Sequence, residues 1–460
     1  MPQTFRSLML VLAACPVTAA PAARPPNIVL IISDDQAWTD YGFMGHPTIQ
    51  TPHLDRLASR GALFRRGYVP TALCRPSLAT LATGLYAFQH GITGNDPARP
   101  ASVSILQFRQ LRADLIARID DVPTVPKLLC QAGYRSHQSG KWWEGSFRRG
   151  GFTDGMTRGF PEPGGRHGDD GLKIGRTGLS PVLDFIDESV AKQRPFFVWY
   201  APFLPHAPHD PPDRLLEKYS EPERPPELAR YYAMCEWFDE TCGELLDYIH
   251  GRSLSDNTLI IYVTDNGWIQ RTPRTPVPDG WRTQFAPRSK QSPNEGGVRT
   301  PVILCWPGRI VPGVQPEVVS SIDLVPTILA AAGVSSPTEL PGVNLLPVLS
   351  GTQTLNRDAI YGEGFAHDII DPDNSQDSLL YRWVIRGRWK LILTYDGKVS
   401  RYRVVHQRTE RGPQLFDVLA DPHEKANVAA DQPQVVAQLV SKIADWWTVD
   451  ERNVQTTSAD

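Results

Sequence analysis

The chain predicts an α/β protein: a large mixed or parallel sheet flanked by helices, then a smaller C-terminal antiparallel sheet with one helix. Two observations carry this. Asn27 to Ser33 and Thr258 to Thr264 are unbroken runs rich in β-branched residues, the pattern of strands buried on both faces of a parallel sheet, and stretches of helical period lie between them. From about Leu355 the pattern changes to shorter strands such as Arg382 to Leu393, where Gly387 marks a hairpin turn. With 460 residues, of which 41% are hydrophobic, the chain has enough apolar surface for one large domain, placed at 24–354, and an α+β subdomain at 355–460.

Residues 1–23 read as an export signal, with Arg6, an apolar run from Leu8 to Ala14 and small residues through Ala23. The run is too short to cross a bilayer, so no transmembrane segment is expected. Ala20-Pro21-Ala22 suits ordinary signal peptidase, whereas Leu12-Ala13-Ala14-Cys15 resembles a lipoprotein cleavage box that would put a lipid anchor on Cys15. Either way the expectation is an exported protein, periplasmic or secreted. A net charge of −3, from 47 basic and 50 acidic residues interspersed along the chain, gives no reason to expect nucleic acid or an anionic membrane as partner. Cys130, Cys235, Cys242 and Cys305 show no zinc-type spacing, and Cys235 and Cys242, seven apart on one helix, cannot bridge and read as buried thiols.

In chain order, the first buried strand ends in Asp34-Asp35, where open α/β sheets place their ligands, although such a pair also serves as a plain turn and cap. A helix opening at Pro52 and stopping at Gly61 leads to Cys74-Arg75-Pro76-Ser77-Leu78-Ala79-Thr80-Leu81-Ala82-Thr83-Gly84. This reads as a thiol at a helix start, with Leu78, Leu81 and Ala82 facing the core and Gly84 ending the helix. Unpaired N–H groups at that end would bind an anion and depress the thiol pKa. A helix from Val125 and a strand through Ser139 arrive at Gly140-Lys141-Trp142-Trp143, and the aperiodic stretch from Gly145 to Gly178 has the character of a site-shaping loop.

A helix over 180–192 and a strand from Phe196 to Ala201 lead into Pro205-His206-Ala207-Pro208-His209, a rigid segment bearing two imidazoles. The long helix from Arg230 to His250 carries a core stripe. The strand ending at Thr264 delivers Asp265-Asn266-Gly267, two more oxygen donors before a tight turn. An Arg-rich insertion, Arg271 to Arg288, precedes Lys290 and Glu295-Gly296-Gly297, then the strand from Val302 and the helix from Asp323 to Ala332. A last helix runs from near Gln432 to Trp447.

Asp34, Asp35, Asp265 and Asn266 offer only hard oxygen donors, which suits Ca²⁺, or less well Mg²⁺, rather than zinc. Lys141, His206 and Lys290 are the cationic and proton-donating candidates around an anionic ester.

These segments resemble the sulfatase family, formylglycine-dependent and arylsulfatase-like, within the alkaline phosphatase superfamily. Cys74, Pro76, Ser77, Leu81, Thr83 and Gly84 match its signature, whereas Leu78 stands where the signature has Arg. The resemblance implies an alkaline phosphatase-like fold, with 24–354 as the catalytic domain. It implies oxidation of Cys74 to formylglycine by a maturation enzyme, and one divalent cation held by Asp34, Asp35, Asp265, Asn266 and the modified Cys74. It further implies sulfate contacts from Lys141 and Lys290, with His206 matching the Pro-His of a central motif. Trp143 and Trp268 replace histidines common in the family, leaving His137 and His209 as candidate bases, and both tryptophans suit a sugar ring. The function implied is hydrolysis of sulfate esters, on a sulfated small molecule or glycan. The competing readings are a phosphomonoesterase or phosphodiesterase on the same fold, and a metal-binding pseudoenzyme that binds glycans.

Overall fold

In the computed structural model, which describes residues 24–395 and 412–449, one nine-stranded sheet forms the centre of the molecule. Its main strands are β1 (Asn27–Ser33), β2 (Ala62–Tyr68), β3 (Arg135–Gly140), β4 (Phe196–Ala201), β5 (Thr258–Thr264) and β6 (Arg299–Cys305). They lie in the order β2-β6-β5-β1-β4-β3. β1 pairs in parallel with both β4 and β5, β3 is parallel to β4, and β6 runs antiparallel to both β5 and β2. The C-terminal ends of β1, β3, β4 and β5 therefore share one edge.

Burial explains the unbroken apolar runs. On β1, Ile28, Leu30 and Ile32 enter one core layer and Val29 and Ile31 the opposite one. The first layer holds α1 (Cys74–Thr83), through Leu78, Leu81 and Ala82, and α4 (Leu324–Ala332), through Leu324, Val325 and Ile328. The second holds α2 (Ser180–Ala191) and α3 (Pro226–Gly251), whose Met234, Phe238, Leu245 and Ile249 form the expected core stripe. α3 starts four residues earlier than the apolar stripe suggests, because Pro226 opens it at a position where a missing N–H costs nothing. Gly84 ends α1 in the left-handed conformation, φ +74°.

The smaller sheet is antiparallel, in the order β7 (Ile360–Phe365), β8 (Leu379–Arg386), β9 (Trp389–Thr394), β10 (Gln414–Asp417). Trp383 and Ile385 face the first core layer, while Val384 packs with Leu439 and Ile443 of α5 (Pro433–Trp446). Trp383 Nε1 donates to Pro70 O at 3.1 Å and Thr71 Oγ1 to Glu363 O at 2.8 Å, which join this sheet to the segment leading to Cys74. Cys130, Cys235, Cys242 and Cys305 are free thiols, Cys130 exposed and the others buried. The export segment with Cys15 lies outside the described residues, and among those no helix is long and apolar enough to cross a membrane.

Candidate active site

Each strand end at the shared edge delivers a candidate side chain. β1 runs into Asp34 and Asp35, β3 into Lys141, β4 into the segment with His206, and β5 into Asp265 and Asn266. Gly140 makes the first step possible: it has φ +83°, and a Cβ there would lie 1.8 Å from Ala201 O of the neighbouring strand. Asp35 holds φ +63° without being glycine, a cost of the kind that gathers where a side chain must be aimed.

The side chains converge on Cys74, the first residue of α1. Lys290 Nζ lies 3.1 Å from its Sγ and donates to Asp35 Oδ1 and Oδ2 at 2.6 and 2.7 Å. Lys141 Nζ donates to Asp34 Oδ1 at 2.6 Å and stands 3.8 Å from Asp265 Oδ2. His206 Nε2 is 3.3 Å from Asp35 Oδ2 and 3.5 Å from Lys290 Nζ, while its Nδ1 is 2.6 Å from Ala207 O, the geometry of an Nδ1–H donor. Burial raises the pKa of Asp34 and Asp265; the same effect at Asp35 is overcome by Lys290, which holds that carboxyl well below its usual value. Burial would lower both lysines, but Asp34 raises Lys141 and Asp35 raises Lys290, so both stay charged. Burial keeps His206 neutral, with Asp35 only partly opposing it.

Three oxygens in this cluster are buried and lack a hydrogen-bond partner: Asp34 Oδ2, Asp265 Oδ2 and Asn266 Oδ1. Ligand atoms of Asp34, Asp35, Cys74 and His206 lie within 4.8 Å of one another. Orphaned hard oxygens in a dry, acidic cluster fit a divalent cation.

Several expectations are corrected here. The thiol is not activated by the helix end: burial pushes Cys74 up to about 12, more than Lys141 and Lys290 pull it down. Nor is that end free, because Asn95 Oδ1 accepts from the Arg75 N–H at 3.1 Å. Leu78 faces the core, as its spacing predicts, and Arg75 turns to buried Glu144, with two bonds of 2.7 Å. His137 is not near the thiol; it packs on Phe185 and lines a separate groove with Arg135 and Asp154. His209, in contrast, stays a candidate: it packs on Tyr231 and on Trp268 of the cavity wall, close enough to Asp35 for that carboxylate to oppose the lowering of its pKa by burial.

The cavity over the thiol has a volume of about 870 Å³, and its walls include Trp143, Arg166, His167, Trp268, Arg282 and Phe285. Trp143 already has the Arg166 guanidinium over its ring, at 4.7 Å, and the His167 ring tilted against it, at 5.2 Å, so its face is less open to a sugar than the sequence suggests. No sequence pattern marks Arg166 and His167, because they arrive on the aperiodic 145–178 loop. Burial and nearby Lys141 push His167 down to about 3, and its buried Nδ1 has no partner.

The chain is similar to known sulfatases. Residues 26–334 match the sulfatase family model and residues 289–448 match that of the C-terminal region of N-sulphoglucosamine sulphohydrolase. The chain is 33% identical over 394 residues to N-acetylgalactosamine-6-sulfatase of Canis lupus familiaris, covering 78% of this chain and 72% of that protein. It is 31% identical over 399 residues to arylsulfatase A of Homo sapiens, covering 77% and 73%. A protein solved in complex with its substrate D-glucosamine-2-N,6-O-disulfate shares the fold, with a TM-score of 0.68, 21% identity and coverage of 92% and 97%.

Proposed function

The chain belongs to the sulfatase family and is a sulfuric ester hydrolase of alkaline phosphatase-like fold, and we propose that it cleaves a sulfate ester on a carbohydrate through a formylglycine made from Cys74. The observation that carries the reading is the convergence on Cys74 Sγ of Lys290, at 3.1 Å, and of the Asp34–Lys141 and Asp35–Lys290 pairs at one sheet edge.

In this reading Asp34, Asp35, Asp265 and Asn266 hold one Ca²⁺, supported by their all-oxygen chemistry and the three orphaned oxygens. When bound, the ion would polarise a sulfate oxygen and lower the pKa of an attacking hydroxyl. An aldehyde hydrate at position 74 has a second hydroxyl with which to release sulfate, whereas a thiolate would stall once sulfated. Lys141 and Lys290, both charged, offset the negative charge of the sulfate oxygens in a buried site where that effect is strong. Lys290 and His206, 3.5 Å apart, form a pair able to hand a proton to the leaving sugar oxygen. Trp268, with Phe285 beside it at 5.3 Å, supplies apolar surface for the sugar. Export, with or without the lipid anchor, follows from residues 1–23, and the maturation enzyme is the partner that the signature at Cys74 calls for.

The test is mass spectrometry of the Cys74 peptide from protein made with its maturation system, paired with assays on aryl sulfate and aryl phosphate. An aldehyde trapped by a hydrazide, with activity on the sulfate, supports the proposal. An unmodified, alkylatable thiol in an active preparation would sink the formylglycine mechanism. Turnover of the phosphate alone would favour the phosphoesterase reading, and glycan binding without sulfate release by matured protein the pseudoenzyme.

A further inference from the structure

A second cationic position stands in the cavity wall, apart from the two lysines. Arg166 Nε and Nη2 both donate to Asp96 Oδ2, at 3.0 and 2.5 Å, while Asp96 Oδ1 accepts from Arg112 Nη2 at 2.6 Å. One largely buried carboxylate thus serves two guanidinium groups, an excess of one positive charge within this trio of side chains. Trp143 lies 4.7 Å beneath the Arg166 guanidinium and fixes its plane, and Nη1 is the edge that makes no bond to Asp96. Among the described residues, the cavity lining has no Asp or Glu. Beside Arg166 the wall carries Asn95 and His367, whose Nδ1 is 2.6 Å from Asp368 Oδ1. The lysines at the base have their own partners in Asp34 and Asp35, so they do not account for the excess charge higher up.

We propose that Arg166 binds a second anionic group, a carboxylate or a further sulfate, on the sugar whose ester is cut at Cys74. This rests on the sulfatase reading and narrows its substrates to doubly anionic sugars. A guanidinium held in place by stacking and by two N–H bonds to one carboxylate oxygen loses little freedom on binding, and its remaining edge matches the planar acceptor pair of an anion. A neutral hydroxyl would leave the extra charge unmet.

Calorimetry on the Ca²⁺-loaded full chain carrying Cys74→Ala separates binding from turnover. The ligands are a hexose monosulfate, the matching hexose disulfate and the matching hexuronic acid monosulfate. One of the two doubly anionic ligands is expected to bind about tenfold tighter than the monosulfate, and which one does so tells sulfate from carboxylate. Arg166→Gln is expected to abolish that ratio, and Arg166→Lys to restore part of it. Equal affinity for all three ligands, or a variant that weakens all three alike, as a merely structural Arg166 would, overturns the proposal. The sulfatase reading is tested separately by sulfate release from protein with Cys74 intact. A retained ratio without release refutes that reading alone, and release without a ratio refutes only the anion site.

Discussion

Asp265 gives the sharpest test of the cluster at the level of one residue. Its Oδ1 is occupied by the N–H groups of Asp35 and Asn266, at 3.1 and 2.6 Å, which leaves buried Oδ2 without a hydrogen-bond partner and with Lys141 Nζ no nearer than 3.8 Å. Asp265→Ala is expected to abolish stoichiometric Ca²⁺ and to lower turnover by about a hundredfold or more, since even residues behind the ligands typically contribute tenfold or more to affinity. Metal analysis checks this directly, and stoichiometric zinc with activity that follows the zinc would reverse the assignment of the ion. Arg75 and Glu144 illustrate a different residue-level lesson. The sequence places Arg75 at a helix start beside the thiol, but it cannot reveal the buried carboxylate 69 positions away that takes the guanidinium. The thiol pKa departs from the sequence expectation for a related reason: burial, a property of the whole fold, outweighs the local helix end.

At the scale of elements, the Arg-rich insertion over 271–288 divides in two. Arg282 lines the cavity, whereas Arg274 is exposed outside it. Arg282→Gln is therefore expected to raise KM for a sulfated oligosaccharide several-fold and to spare a small aryl sulfate, with Arg274→Gln changing neither; equal effects of the two changes in steady-state kinetics would refute this division. The Glu-Gly-Gly segment serves the fold rather than the chemistry. Glu295 pairs with Lys390 of β9 at 2.9 Å, with both side chains almost wholly buried, and accepts from Tyr68 OH of β2 at 3.0 Å. Lys390 also stands 3.0 Å from buried Glu424, while Glu295 keeps Arg299 at 3.4 Å, so Lys390→Met should cost about 3–5 kcal/mol by removing the cation that two buried carboxylates share. A loss below about 1 kcal/mol in denaturant unfolding would show the pair to be dispensable. Strands and their ends were legible in the sequence because a strand buried on both faces is written as an unbroken apolar run, and the residue after it must sit at the sheet edge. That is why Asp34, Lys141, His206 and Asp265 could be found in advance. Arg166 and His167 could not, since their place depends on long-range bonds such as Trp142 N–H to His167 O, at 3.2 Å, which no periodicity records. His137 failed as a candidate because it lies within β3 rather than beyond its end, with its ring packed on Phe185.

For the molecule as a whole, Glu363 reports how firmly the C-terminal sheet is joined to the segment after α1. It sits on β7, and its Oε1 accepts from the Ala87 N–H at 2.6 Å, a bond across 276 positions of sequence. The side chain is fully buried, and burial pushes its carboxyl up to about 8 against the pull of backbone N–H donors at Ala87 and Phe88. The folded value thus lies above the unfolded one, so folding takes up a proton between roughly pH 4.3 and pH 8. Below that window both states are protonated and Glu363 adds no pH dependence. As pH rises through it, the folded state increasingly bears either a buried charge or the cost of keeping the proton, and stability falls by up to about 1.4 kcal/mol per pH unit. Glu363→Gln keeps the shape and an acceptor oxygen but cannot ionise, so this slope should vanish. Melting temperatures of the two proteins, measured from pH 5 to pH 8, should diverge steadily in favour of the variant toward pH 8. Parallel curves would mean that the Glu363 carboxyl titrates near its ordinary value, and that water reaches the join between the two sheets.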